Sequence, residues 1–264
     1  LLKGLAYMPR IREGVAYNME DLVEMVLLAG EVLLTNGAEI QRVEETIARM
    51  GKAAGFSKAE GFATPTGLFV SFYAPSGHVY TRVRRIREVN NNIAKIAAVN
   101  SLSRAYACGE MTTEEVRNTL LELTKPEAAY FWPAIIASGP GCAGFALIFD
   151  GSLLDALFAG ITGFLVALIG AWLGQHPVPR IVTSAVGGTI VALCARIFCH
   201  FSAADMDKII LGAVMVLVPG VLMTTSLRDM LSGELVSGVS RGADALAIAV
   251  GVAAGVAVVL SVGV

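Results

Sequence analysis

The sequence predicts an α-helical membrane protein in which five transmembrane helices follow an N-terminal α+β domain. Of its 264 residues, 55% are hydrophobic and only 16% are charged, whereas a soluble globular chain carries about a quarter charged residues. The mean hydropathy is +0.66, and most of the charged residues lie in the first half of the chain. The net charge of −2 argues against a nucleic-acid-binding protein, which would show a basic excess.

The charged residues divide the chain into two parts. Residues 1–131 contain 15 basic and 15 acidic residues, whereas residues 132–264 contain five basic and seven acidic residues. The first part therefore has the composition of a soluble domain and the second that of a membrane domain. We expect an N-terminal tail at 1–17, a cytosolic α+β domain at 18–128 and a five-helix transmembrane domain at 129–264.

The predicted α+β domain begins with two helices. Apolar residues recur at helical spacing over 19–35 and again over 38–54. Asn36-Gly37 interrupts the pattern between them. Because glycine adopts positive φ angles that most residues avoid, this pair predicts a tight helix–turn–helix.

A β-hairpin and two further helices complete this domain. Apolar and polar residues alternate over 62–74 and 78–85, on either side of Pro-Ser-Gly at 75–77, which predicts a hairpin. Helices are expected near 90–107 and 113–124. The second of them follows Thr-Thr-Glu-Glu, which has the spacing of a capping box.

Five apolar stretches in the second part are long enough to cross a bilayer, which takes roughly 20 residues. They lie at about 131–149, 152–173, 181–199, 207–227 and 243–264. Links that face the cytoplasm carry an excess of Lys and Arg. If the N-terminal domain is cytoplasmic, Arg180, Arg228 and Arg241 lie on that side and Lys208 lies on the other, so we expect the C-terminus outside.

The fourth stretch contains Val218-Pro219-Gly220 near its middle. Proline removes a backbone donor and clashes with the preceding turn, so the minimal interpretation is a kink in a continuous helix. The alternative is a discontinuous helix whose second half begins near Gly220. The positive end of such a half-helix binds anionic groups, for example a substrate carboxylate.

The densest polar segment of the membrane part follows directly. It contains Arg228, Asp229, Glu234, Arg241 and Asp244. Ionisable groups next to apolar spans mark substrate or ion paths when they face the protein interior. The alternative interpretation is a solvated link whose arginines anchor the membrane interface.

No motif in the sequence points to a cofactor, a metal or a catalytic set. The four cysteines lack the spacing of a zinc site or a disulfide framework. Neither GxGxxG nor GxxxxGK[ST] occurs, so nothing supports nucleotide binding. We therefore expect no cofactor, no metal ligands and no catalytic residues.

Two segments together resemble the threonine/serine exporter family. The first consists of 28–31 and 36–44, with Gly30, Gly37, Glu39 and Arg42 at the motif positions. The second runs in the family's order and spacing through Val218-Pro219-Gly220, Arg228-Asp229, Gly233, Ser237-Gly238 and Arg241. The resemblance extends from about residue 20 to the end of the sequence.

The resemblance implies a transporter of the bacterial inner membrane. Some family members carry about ten spans in one chain, and others are split into two subunits. With five spans, this sequence resembles the split type, including the larger subunit of the two-component succinate exporter. That implies a second, smaller multi-span subunit and a homo- or hetero-oligomer in the lipid bilayer.

We therefore expect a subunit of a secondary exporter for small carboxylate-bearing metabolites, either threonine and serine or dicarboxylates such as succinate. The expected substrate-binding residues are Pro219, Gly220, Arg228, Asp229 and Arg241, and the expected proton-coupling residues are Asp229, Glu234 and Asp244. The alternative is a membrane-tethered enzyme or regulatory subunit that acts through its cytosolic domain.

Overall fold

The computed structural model describes residues 18–87, 89–125 and 131–262, so the predicted tail and the predicted domain boundary near residue 128 lie outside the described residues. The chain forms two compact units. The first is Leu1–Pro126 with Thr224–Arg241, and the second is Glu127–Met223 with Gly242–Val264. The first unit therefore includes a segment that the sequence pattern assigns to the membrane domain.

Before Thr224, the described residues of the first unit form four helices and one antiparallel sheet. These elements are α1 (Met19–Thr35), α2 (Ile40–Ala53), β1 (Lys58–Thr64), β2 (Gly67–Tyr73), β3 (Val79–Arg85), α3 (Ile93–Ala107) and α4 (Thr113–Thr124). All four helices lie close to the ranges expected from the sequence, α1 and α2 where apolar periodicity predicts them. Thr112 and Glu115 form the expected capping box at the start of α4.

The sheet corrects one sequence-based expectation. The stretch 62–74, predicted as a single strand, comprises the end of β1, a two-residue turn at Pro65-Thr66, and β2. Proline cannot donate to a strand ladder, so the chain turns there. The hairpin between β2 and β3 is present where predicted, and the strand order is β1-β2-β3.

One hydrophobic core holds the first unit together. Leu68, Val70 and Phe72 point from β2 into this core, while Phe69 on the opposite face is exposed. The buried side of the sheet packs with apolar residues of α1 and α2. The two helices that flank the Asn36-Gly37 turn therefore share one core with the sheet.

The second unit is helical. Its elements are α5 (Phe131–Ile148), α6 (Leu153–Leu173), α7 (Arg180–Phe201), α8 (Met206–Val214), the start of α9 (Gly220–Leu231) and most of α10 (Leu235–Ser261). α6, α7 and α10 are long and apolar enough to cross a membrane, and the apolar part of α5, Trp132–Ile148, is shorter. The structure thus supports three candidate spans within the described residues, and five spans remain a prediction.

The fourth apolar stretch is discontinuous. α8 ends at Val214 and α9 begins at Gly220, directly after Pro219. Of the two alternatives that Pro219-Gly220 leaves open, a kink and a break, the structure has the break, because proline lacks the N–H that would continue the helix. A Cβ built on Gly220 would meet nothing within 4 Å, so there is open space beside the backbone at the start of α9.

Glycines let α7 and α10 approach closely within the second unit. A Cβ added at Gly188 would lie 2.3 Å from the carbonyl oxygen of Val252, and one added at Gly255 would lie 2.1 Å from that of Ala185. No side chain fits at either position without movement of backbone. Close contact through small residues is the packing that apolar helices adopt in lipid.

Candidate functional site

The candidate site is centred on a buried ion pair in the first unit. Asp229 of α9 and Arg241 of α10 face each other, with 3.1 Å between Oδ2 and Nη1. Their side chains are only 1% and 6% exposed. Neither of these two atoms has a hydrogen bond of good geometry in the described part of the chain, so charge attraction is what joins them.

Backbone groups at the turn between α1 and α2 form hydrogen bonds with both members of this pair. The backbone N–H of Ile40 donates to Asp229 Oδ1 at 3.3 Å, and Arg241 Nη2 donates to the carbonyl oxygen of Ala38 at 2.7 Å. Ile40 is the first residue of α2. Asp229 therefore caps the start of α2 from a distant part of the sequence, where the helix dipole favours a negative charge.

Glycine is required in this turn. Gly37 has φ +84°, and a Cβ there would lie 2.8 Å from the carbonyl oxygen of Asn90 and from Oδ1 of Asn91. The residue follows Asn36, whose side chain donates to the carbonyl oxygen of Val32 at 2.7 Å. The Asn-Gly pair thus forms the tight helix–turn–helix that the sequence predicts, and it presents Ala38 to Arg241.

A second, more exposed charge cluster lies beside the buried pair. Glu39 forms an ion pair with Arg228 through Oε1, and its Oε2 lies 3.6 Å from Arg42 Nη2. The Glu39 side chain is 21% exposed, whereas Arg42 and Arg228 are 38% and 63% exposed. One carboxylate is therefore shared by two arginines that both reach solvent.

Acidic neighbours act on the buried pair. Burial raises the pKa of Asp229, and the Arg241 charge and the Ile40 N–H offset only part of this effect, while the charges of Glu39 and Glu234 add to it. Burial also raises the pKa of Glu44, against the lowering effect of the hydrogen bond from the Ala63 N–H, and Glu234 contributes to the increase. Both carboxyl groups therefore take up a proton more readily than ordinary acids.

The structure brings together Arg228, Asp229 and Arg241 among the predicted site residues. Glu234 follows α9 and is half-buried. Pro219 and Gly220 form the helix break of the second unit, and Asp244 is exposed on α10 in that same unit. Among the described residues, no three His, Cys, Asp or Glu side chains are grouped as a metal site requires.

Sequence reasoning missed the role of the N-terminal motif in this site. It gave Gly30, Gly37, Glu39 and Arg42 the role of setting a tight helix–turn–helix, with gating or docking as the alternative. It did not connect that turn with Asp229, which lies 189 positions away from Ile40 in the sequence. One signal was available: Glu39 and Arg42 occur in the same family resemblance as Arg228 and Arg241.

Comparison with known proteins places both charge clusters within a family match. A family model described as "Putative threonine/serine exporter" matches residues 24–263, a range that includes both charge clusters and the helix break. No solved structure matches the chain.

Curated relatives from four bacteria are similar to the chain. A "Probable threonine/serine exporter" of Mycobacterium tuberculosis is 21% identical over 90% of this chain and 46% of its own length. A "Threonine/serine exporter" of Corynebacterium glutamicum is 27% identical over 65% of this chain and 36% of its own length. The chain thus spans less than half the length of these two exporters.

Two shorter relatives match over most of their length. The "Probable succinate transporter subunit YjjP" of Escherichia coli is 22% identical over 91% of this chain and 94% of its own length, and its namesake in Klebsiella aerogenes is 24% identical over 80% and 82%. These relatives are named as exporters or transporter subunits rather than enzymes, as the sequence predicts for this chain. On the extent of the family match, this chain belongs to the threonine/serine exporter family.

Proposed function

We propose that the chain is a subunit of a secondary exporter that moves small carboxylate-bearing metabolites, either threonine and serine or dicarboxylates such as succinate, out of the cytoplasm. The observation that carries this proposal is the buried Asp229–Arg241 pair, which joins the two motifs of an exporter family. A buried ion pair is weak evidence for stability alone. A buried Asp–Arg pair is, however, suited to a transporter in which Asp229 alternates between its charged and its protonated form.

Two features support binding of a carboxylate. The helix break at Pro219-Gly220 puts the positive end of the α9 dipole beside open space. Arg228 and Arg241 supply guanidinium groups, which recognise carboxylates with paired donors. Pro219, Gly220, Arg228, Asp229 and Arg241 are accordingly the proposed substrate-binding residues.

Proton movement is the proposed source of energy. Neither nucleotide-binding motif considered above occurs in the sequence, and we propose that an ion gradient drives export. Asp229 is the main candidate to carry the proton, since neutralising it would release Arg241 from its partner. Glu234, whose charge acts on Asp229, and the exposed Asp244 are the further candidates.

We also propose a partner subunit and an orientation in the membrane for this chain. The name of YjjP as a subunit supports a second membrane subunit beside this chain. The distribution of arginines supports a cytoplasmic N-terminal domain and an external C-terminus in the bacterial inner membrane.

Counterflow in proteoliposomes tests the proposed function. Vesicles that contain this chain with its membrane partner should accumulate labelled succinate or labelled threonine when preloaded with the same compound. Arg228→Ala should abolish accumulation although the protein still inserts. Vesicles that exchange neither compound would contradict the exporter function, and full transport by Arg228→Ala would remove Arg228 from the mechanism.

Proton coupling makes a separate prediction for Asp229. The substitution Asp229→Asn should abolish uphill export driven by a pH gradient. Counterflow by the folded variant should be weaker than wild type, because Arg241 loses its charged partner, but measurable, because exchange needs no net proton movement. The remaining exchange should also depend less on pH in the range above the ordinary carboxyl pKa, since Asp229 no longer titrates there. Gradient-driven export by Asp229→Asn at the wild-type rate would show that another group carries the proton.

A further inference from the structure

Glu39 occupies the position that a substrate carboxylate would take between two arginines. Its Oε1 contacts Arg228 and its Oε2 lies near Arg42. A single carboxylate thus meets two guanidinium groups that come from distant parts of the chain. A free carboxylate would find the same donors there if Glu39 moved aside.

The exposure of these side chains permits such an exchange. Arg228 is 63% exposed and Arg42 is 38% exposed, so a dissolved ligand can reach both. Each guanidinium has several N–H donors in a planar fork, and each contacts Glu39 through one nitrogen. Donors thus remain to hold an incoming carboxylate while Glu39 leaves.

The energetics favour exchange at this cluster rather than at the buried pair. Ion pairs whose arginines reach solvent contribute less to stability than buried pairs, so displacing the partly buried Glu39 costs less than separating Asp229 from Arg241. Separating Asp229 from Arg241 would leave an unpaired charge in the protein interior, which is costly. A carboxylate arriving from solvent therefore meets Arg42 and Arg228 first.

We propose that Arg42 and Arg228 form an entry site for the carboxylate of the cargo, and that Glu39 closes this site in the conformation described here. Arg42 is thereby a further substrate-binding residue, and Glu39 is a resident competitor that substrate has to displace. The inference rests on the proposed function for the chemical class of the ligand, a small mono- or dicarboxylate.

Equilibrium binding to the purified full chain in lipid nanodiscs tests this site. Labelled succinate and labelled threonine are the probes, each measured without a gradient. Glu39→Gln should bind at least one of them about threefold tighter than wild type, because the competing charge is gone. Glu39→Asp should be intermediate, since its shorter side chain reaches the arginines less well.

Matched arginine variants identify the site. In the Glu39→Gln background, Arg42→Gln should remove the gain in affinity. Arg104→Gln, at an exposed arginine of α3, should leave it unchanged. Melting temperatures of all variants verify that the chain is folded.

The entry site would be contradicted if neither Glu39 variant binds the probes more tightly than wild type. If Glu39 only positions Arg228, folded Glu39→Gln and Glu39→Asp bind as weakly as wild type or more weakly. That result, together with export by wild type, would reject the entry site and leave the exporter function standing. Tighter binding by Glu39→Gln without export by wild type would support the site and count against the exporter.

Discussion

Replacing Arg241 by methionine is expected to lower the melting temperature of the purified chain by roughly 10 °C and to abolish transport. The substitution leaves Asp229 buried without its cation, and removal of one partner from a buried pair costs about 3–5 kcal/mol. The guanidinium contact with the carbonyl oxygen of Ala38 is lost as well. Thermal unfolding in detergent and counterflow in vesicles measure the two effects.

The pH dependence of this variant identifies the cause. Burial favours the neutral form of Asp229 and raises its pKa. The loss of stability caused by Arg241→Met should therefore become smaller as the pH falls through the pKa of Asp229, because protonation of Asp229 removes the unpaired charge. Adding Asp229→Leu should recover much of the stability at neutral pH without restoring transport. A deficit that is independent of pH and persists in the double variant would contradict a charge effect.

A single added methyl group at Gly255 is expected to disrupt the packing of α7 against α10. In Gly255→Ala the new Cβ would lie 2.1 Å from the carbonyl oxygen of Ala185 and 2.8 Å from the backbone nitrogen of Thr189. Backbone has to move to make room, and overpacking of this kind costs about 1–3 kcal/mol or more. We expect a lower melting temperature and less folded protein after extraction.

Gly170→Ala is the matched control for this prediction. Gly170 lies in α6, where an added Cβ would meet nothing within 4 Å. Alanine favours helix over glycine by up to about 1 kcal/mol, so this variant should be as stable as wild type or more stable. Equal stability of Gly255→Ala and Gly170→Ala would mean that α7 and α10 do not pack through these glycines.

The sheet shows where local patterns are insufficient. Alternation alone does not distinguish one long strand from two strands joined by a two-residue turn, so β1 was not separated from β2. Pro65 was the available signal, because it cannot take part in a strand ladder.

The sequence alone determined the features that depend on neighbouring residues. Apolar periodicity located α1 and α2, Asn36-Gly37 located the turn between them, and Pro219-Gly220 located the point where the fourth apolar stretch would kink or break. Each of these signals acts within a few residues of the chain. The division into a charged and an apolar part was likewise visible in composition.

Only the tertiary structure decided which charged groups are paired. Ile40 and Asp229 are 189 positions apart, and no local pattern indicates that one caps the other. The sequence could only suggest that Arg228, Asp229 and Arg241 line a path or anchor an interface. Folding buries the Asp229–Arg241 pair and leaves Arg42 and Arg228 of the second cluster open to solvent, a difference that depends on packing between distant segments and not on any local pattern.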